Sequence, residues 1–146
     1  MNMKKSAPLL IVLFMTIPFL NSCKKYPDGP GFSLLSRKQR LANTWHVKMY
    51  QENGVDKTAD FNNVFQGAII TIDKEGGYSL KYKAFGVVDY NESGTWRFTD
   101  NDDFFETNPT NGSGSVARHE ILRLKEAELW YVDTDANGTK EYHLVP

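Results

Sequence analysis

The stretch with the clearest metal-binding spacing is DTDANGTKEYHL, residues 133–144. Its beginning matches the D-x-D-x-N-G pattern of a calcium loop, with carboxylates at Asp133 and Asp135. The twelfth position of such a loop carries a bidentate glutamate, but here it is Leu144. The flanking residues alternate as strands do, and a type I′ hairpin turn at Asn137–Gly138 accounts for the same pattern. We therefore predict a turn in this stretch and no metal site.

The other candidate groups are also interpreted as non-catalytic. DNDDFFE, residues 100–106, contains four carboxylates and is interpreted as a solvated turn between strands. His46, His119 and His143 lack the close spacing of zinc ligands; the registers predicted below place His46 and His143 outward and leave His119 unplaced. GSGS at 112–115 lacks the strand–turn–helix context of a nucleophile elbow. The sequence thus predicts no catalytic, metal-binding or cofactor-binding residue, and we expect that the protein is not an enzyme.

Cys23 is the single cysteine of the chain and follows a segment typical of secretion signals. Lys4 and Lys5 precede an apolar run from Ala7 to Leu20, which is shorter than the roughly 20 residues of a transmembrane helix. We therefore predict a signal peptide over residues 1–22. A disulfide within the chain is excluded because there is no second cysteine. A buried free thiol and an attachment point both remain open.

The end of this segment resembles the lipobox of bacterial lipoproteins, with Leu20, Ser22 and Cys23 in the matching positions. The resemblance implies cleavage before Cys23, diacylglycerol on its sulfur and an acyl chain such as palmitate on its amine. It also implies a lipid-anchored protein of the cell envelope, at the outer membrane of a Gram-negative bacterium. Residues 23–32, rich in proline and glycine, are predicted to form the lipidated cysteine and a tether reaching about 30 Å.

Residues 33–146 are predicted to form one domain, since this length is sufficient for a single core. Without Lys4 and Lys5 the predicted mature chain has 15 basic and 18 acidic side chains. This balance lacks the concentrated basic face that nucleic-acid binding requires. We expect no nucleic-acid partner.

One short helix and eight strands are predicted. Ser36 and Gln39 have the spacing of a capping box, and Leu34 and Leu41 are expected to share the apolar face of the helix. Seven segments alternate apolar and polar residues with period two: 44–50, 67–73, 76–85, 93–100, 119–125, 128–134 and 140–145; the eighth strand, 102–107, is short and poorly patterned. The connections 52–63 and 108–116 are predicted to be long loops, with Phe61 reaching towards the core.

Turn chemistry predicts the register of three hairpins, the first around a left-handed Gly76. The expected partners are Ile72–Tyr78, Ile70–Leu80, Leu124–Leu129, Leu122–Tyr131, Tyr131–Leu144 and Asp133–Tyr142, with Asp135 opposite Lys140. Each register places apolar side chains on one face of the sheet. A slip of one residue would move the side chains of one strand to the opposite face. The predicted fold is an all-β, roughly eight-stranded antiparallel meander barrel with one short N-terminal helix.

Several segments together resemble the lipocalin-like lipoproteins of Gram-negative bacteria. They are RLANTWHVKMY, GVDKTADF, ITIDKEGGYS, SGTWRF, LRLKEAELWY and KEYHLVP. The resemblance covers nearly the whole predicted mature chain and implies a small barrel whose interior is open at one end.

The expected inner face is rich in aromatic and aliphatic side chains, and we predict that it lines a ligand cavity. Its members are Trp45, Tyr78, Leu80, Tyr82, Trp96, Phe98, Leu122, Leu124, Tyr131, Tyr142 and Leu144. An eight-stranded barrel is just wide enough to hold one small ligand or to be filled by side chains. The first function considered is therefore binding of a small apolar or amphipathic ligand. The alternative is a protein-interaction or inhibitor module with a solid core, whose outer face presents Trp130, Ile121 and Val132.

Overall fold

Strands make up most of the described chain, which in this computed structural model comprises Tyr26 and residues 33–112 and 114–146. The predicted signal peptide and Cys23 lie outside the described residues. Two α-helices are present in the described ranges, α1 (Arg37–Leu41) and α2 (Thr58–Val64). The strands are β1 (Asn43–Glu52), β2 (Val55–Asp56), β3 (Phe65–Ile72), β4 (Gly77–Ala84), β5 (Val88–Thr99), β6 (Phe104–Asn111), β7 (Ala117–Leu124), β8 (Leu129–Asp135) and β9 (Gly138–Val145). Neither helix has the length and apolarity needed to cross a bilayer.

The eight long strands form a closed antiparallel barrel. From β3 to β9 each strand pairs with its neighbour in sequence, and β1 pairs with both β3 and β9, which closes the sheet. The two-residue β2 extends the end of β1 only. The prediction of an all-β, eight-stranded meander barrel is confirmed, and closure leaves no long unpaired strand edge among these eight strands.

One end of the barrel, called the floor, is filled by apolar side chains. The fully buried residues there include Leu41, Trp45, Leu124, Leu129 and Leu144. The helix α1 begins with the predicted capping box of Ser36 and Gln39 and ends at Leu41, whose carbonyl accepts a 2.9 Å hydrogen bond from the Trp45 indole. The prediction that Leu34 shares this face is wrong, because the helix starts only at Arg37 and Leu34 is 88% exposed.

Tyr26 also packs into the floor, although it belongs to the segment predicted to be a tether. Its side chain is 2% exposed and joins the core cluster. Its hydroxyl donates a 2.8 Å hydrogen bond to the carbonyl of Asp102, in a 3₁₀ turn between β5 and β6. Burial raises the pKa of Tyr26 from 10.0 to about 12. The folded body therefore includes Tyr26, one of the residues predicted to lie in the tether.

Two of the three hairpin registers are confirmed at the turn. Ile72 pairs with Tyr78 and Ile70 with Leu80, around Gly76 at a φ of 104°. Leu124 pairs with Leu129.

The third register is wrong by two residues. The turn is made by Ala136 and Asn137, so Tyr131 pairs with Tyr142 and Asp133 with Lys140. Asp135 is opposite Gly138, yet it still meets Lys140 diagonally, with 2.8 Å between Oδ2 and Nζ. A shift of two residues keeps each side chain on its predicted face.

Two β-bulges change which side chains face inward. A register shift between Ile121 and Arg123 brings Ile121 opposite Tyr131 and buries it in the core, whereas Leu122, the predicted partner of Tyr131, is only half-buried. A second shift between Val47 and Met49 turns Tyr50 inward, although regular alternation along 44–50 would place it on the same face as His46. An extra residue reverses the alternation from that point onward.

Both predicted long loops contain regular structure. Residues 52–63 hold β2 and most of α2, whose Phe61 reaches the barrel interior as predicted. In the second loop, β6 continues through Pro109 to Asn111. Pro109 has no amide hydrogen to donate, but it lies opposite Gly94 at a register shift, where a missing ladder bond is tolerated.

Candidate functional site

The barrel interior above the floor is an open cavity of about 310 Å³. Its bottom is formed by Ile72, Tyr78, Leu129 and Leu144, and its opposite end, called the mouth, lies near α2, the start of β3 and the end of β8. The volume is at the lower end of the roughly 300–1,000 Å³ range of small-molecule pockets.

The structure divides the predicted cavity residues into two groups. Six line the cavity: Tyr78, Leu80, Tyr82, Tyr131, Tyr142 and Leu144. Trp45, Trp96 and Leu124 are buried in the floor, and Phe98 packs against the same cluster. Leu122 belongs to neither group, because the bulge in β7 brings Ile121 opposite Tyr131 in its place.

One wall of the cavity is apolar and aromatic. It is built from β1, β3, β4 and β9 and contributes Val47, Phe65, Ala68, Ile70, Leu80, Tyr82, Tyr142 and Leu144. The ring of Phe61 covers this wall from α2, with centroids 4.8 Å from Phe65 and 5.0 Å from Tyr50. Tyr50 in turn lies 5.0 Å from Tyr142. Aromatic side chains in such contact form a stable apolar surface.

The opposite wall is polar, and Glu92 on β5 is its most buried member. Glu92 is 9% exposed and accepts hydrogen bonds from two tyrosines, Tyr78 at 2.8 Å on Oε1 and Tyr90 at 2.7 Å on Oε2. Burial, followed by the hydrogen bond to Glu92, raises the pKa of Tyr78 well above its usual value. The Tyr78 hydroxyl therefore stays a hydrogen-bond donor throughout the physiological pH range.

A second polar group on this wall joins three strands. His119 on β7 lies with Nδ1 2.6 Å from Asp133 Oδ1 on β8 and with Nε2 3.1 Å from Thr107 Oγ1 on β6. The imidazole stacks on Phe105 with a centroid distance of 4.5 Å.

The order of Thr107, His119 and Asp133 is that of nucleophile, base and orienting carboxylate in hydrolases. Thr107, however, lies within β6 and pairs with Trp96 on one side and Ala117 on the other. Amide groups of a paired strand lie in the sheet and not towards its face, so this part of the wall offers side-chain groups to a ligand and no backbone donors for an oxyanion.

Tyr131 lies where the two walls meet. Its side chain is 6% exposed, and burial, with a further contribution from Asp133, raises the pKa of its hydroxyl well above the usual value. Its ring stacks on Tyr142 at 4.8 Å and meets His119 edge to face at 5.1 Å. Among the described residues the hydroxyl has no hydrogen-bond partner.

The remaining candidates from the sequence lie elsewhere. His46 is exposed, and His143 stacks outside the barrel on Trp130 at 3.9 Å, so the three histidines do not meet. In the calcium-like stretch, Asp133 bonds His119 whereas Leu144 is buried. Within the described ranges, no group of three His, Cys, Asp or Glu side chains is arranged to hold a metal ion.

Sequence reasoning missed the polar wall: Tyr90, Glu92, Thr107, His119 and Asp133. For two of these, alternation was a usable signal. Glu92 is four residues before Trp96, and Asp133 two residues after Tyr131, so each shares a face with a residue predicted to point inward.

Comparison with known proteins supports the fold and adds no function. No family model and no curated protein matches this chain. Among solved structures, the chain is similar to an uncharacterised protein from Bacteroides eggerthii, with a TM-score of 0.52 and 10% sequence identity over 72% of this chain and 98% of that one. At this identity the likeness concerns the fold alone.

Proposed function

We propose that this protein is a lipid-anchored envelope lipoprotein of the lipocalin-like group whose barrel binds a small apolar or amphipathic ligand. The single observation that carries the binding proposal is the interior cavity of about 310 Å³. A barrel of eight strands can be filled by its own side chains. Here the side chains fill only the floor and leave the interior above it open.

The two walls suit an amphipathic molecule. The apolar wall offers aliphatic and aromatic contact, and the polar wall offers a few convergent groups, which is the usual composition of a specific small-molecule site. The floor is packed, so a ligand enters and leaves through the mouth.

The anchor is proposed from the sequence, since Cys23 lies outside the described residues. Several acyl chains hold a protein to a membrane far more firmly than one. Metabolic labelling with a clickable fatty acid should mark the wild-type protein and leave a Cys23→Ser variant unmarked. Label on that variant would contradict the proposal.

The alternative, a protein-interaction module, depended on a solid core and an apolar outer patch. Ile121, one of the three residues of that patch, is buried in the core and does not lie on the outer face. Trp130 is covered by its own neighbours, with the Arg123 guanidinium 3.6 Å above its ring and His143 stacked against it. These contacts favour ligand binding over docking of a partner at this face.

The binding proposal is tested with residues 23–146 carrying Cys23→Ser, which contain every element of the described fold. The neutral fluorophore prodan should bind with a blue-shifted emission. Ala68→Trp, which adds an indole inside the cavity, should abolish this signal. The matched control Ala127→Trp adds the same group at an exposed position outside the barrel and should leave it intact. Equal binding by both variants, or none by the wild-type protein, would refute a ligand site in the barrel.

A further inference from the structure

We propose that the ligand of this cavity carries a positively charged nitrogen, so that the site takes small amphipathic amines and not fatty acids or other anions. This inference rests on the proposed function and specifies its ligand class. It follows from the charge of the lining, from the acceptor positions of Glu92 that no described residue occupies and from the aromatic faces beside it.

The charged side chains of the lining are two carboxylates and one imidazole. Glu92 and Asp133 belong to the lining together with His119, and none of the described lysines and arginines does. Glu52, bonded by Tyr50, adds a further carboxylate near the mouth. The lining is therefore net negative whether His119 is neutral or protonated, and an anionic head group would face like charges at short range.

Glu92 is the carboxylate best placed to receive a cation. It is nine-tenths buried and has no ion-pair partner in the described part of the chain. A carboxylate has about four acceptor positions, and Tyr78 and Tyr90 occupy one on each oxygen. Burying a carboxylate without a counter-charge is unfavourable. An ammonium group that supplies both the charge and hydrogen bonds is therefore attracted more strongly to Glu92 than to a carboxylate in water. Asp133, which already bonds His119, is the second acceptor.

Aromatic faces and a free hydroxyl lie beside these carboxylates. Tyr82 and Tyr90 stack at 4.6 Å, and Tyr131 and Tyr142 at 4.8 Å. Ring faces attract cations, and the attraction strengthens where water is excluded. The Tyr131 hydroxyl, without a partner among the described residues, is an acceptor as well as a donor for a ligand nitrogen.

The apolar wall receives the rest of such a molecule. Val47, Phe65 and Ile70 line the cavity from β1 and β3, away from the strands of the polar wall, and present only hydrocarbon. The cavity volume of about 310 Å³ suits a body of one ring or a short chain and not a long acyl chain. The ligand class is thus a compact apolar body with an amine at one end.

Three probes with the same body and different heads test this inference: 4-phenylbutylamine, 4-phenylbutanol and 4-phenylbutyrate. Binding to residues 23–146 with Cys23→Ser is measured by isothermal titration calorimetry at pH 7. We expect the amine to bind about tenfold tighter than the alcohol, and the acid at least about tenfold weaker than the alcohol, since one charge-assisted interaction corresponds to roughly a factor of ten.

The variant Glu92→Gln keeps the shape of the side chain and removes its charge. It should lower amine affinity by about tenfold and leave alcohol affinity within about twofold. Glu120→Gln makes the same change at an exposed position on β7 and should alter neither. If Glu92→Gln does not fold, Asp133→Asn serves as the test and should also reduce the amine preference.

The outcomes separate this inference from the proposed function. Equal affinity of the three probes, or an amine preference that persists in both variants, overturns the amine assignment while prodan binding still supports a ligand cavity. The loss of prodan binding together with all three probes overturns both.

Discussion

Replacing Tyr26 with phenylalanine removes one hydroxyl from the floor of the barrel and leaves the ring in place. The lost 2.8 Å hydrogen bond to the Asp102 carbonyl should cost about 1 kcal/mol of unfolding free energy near pH 8. Tyr26→Ala also removes a ring that is 2% exposed, and a deletion of this kind costs about 3–5 kcal/mol.

The pH dependence of Tyr26→Phe gives a sharper test. Burial raises the pKa of Tyr26 from 10.0 to about 12, so the folded state favours the neutral phenol. The contribution of this phenol to the free energy of unfolding is complete below pH 10 and is lost as the pH rises through 12. A pKa shift of two units corresponds to at most about 3 kcal/mol of unfolding free energy. Since phenylalanine does not titrate, the variant should be less stable than wild type at pH 8 and should become the more stable of the two between pH 10 and 12.

Urea unfolding followed by tryptophan fluorescence at a series of pH values measures this difference. Tyr82→Phe is the matched control, because the Tyr82 hydroxyl has no hydrogen bond with a described residue, and it should be close to neutral at pH 8. A constant difference between wild type and Tyr26→Phe from pH 8 to 12 would show that Tyr26 is not buried in the floor.

Three further changes test other parts of the fold. Ser36→Ala removes the capping box with Gln39 and should cost about 1 kcal/mol, measured by urea unfolding. Gly114→Ala should weaken phenylbutylamine binding in calorimetry, because a Cβ at this position would overlap with Glu92 Oε2 and displace the carboxylate. Trp130→Ala, on the outer face, should leave prodan fluorescence unchanged; a lost signal would contradict an interior site.

Two of the three hairpin registers were predictable near the turn, because local turn chemistry fixes them there. Gly76 at positive φ and the tight turn before Leu129 each determine the neighbouring pairs. The barrel closure follows from the number and alternation of the strands.

The bulges were not predictable from alternation. In β7 the residues Ile121 and Leu122 are equally apolar, so nothing in the pattern says which of them enters the core. In β1 the extra residue near Val47 turns Tyr50 inward, and the sequence there still alternates. An inserted residue costs little locally, and its position is decided by pairing with distant strands.

The polar wall was hidden for a different reason. Glu92 was not among the residues predicted to line the cavity, and Asp133 was considered only in the calcium-like stretch and as the partner of Tyr142; carboxylates are mostly exposed. Two of the groups that bond these carboxylates, Tyr78 and His119, lie on the neighbouring strands, and Tyr90 lies on the same strand as Glu92. The contacts of Tyr78 and His119 form only when the neighbouring strands pair.

If Cys23 carries the lipid, the packing of Tyr26 in the floor determines which end of the barrel faces the membrane. Only three residue steps separate the two positions, a span of at most about 11 Å. The packed floor is then held against the headgroups, and the mouth beside α2 is turned to the aqueous compartment. Ligand exchange would take place with dissolved molecules on the far side of the protein, and not by direct transfer from the bilayer beneath it.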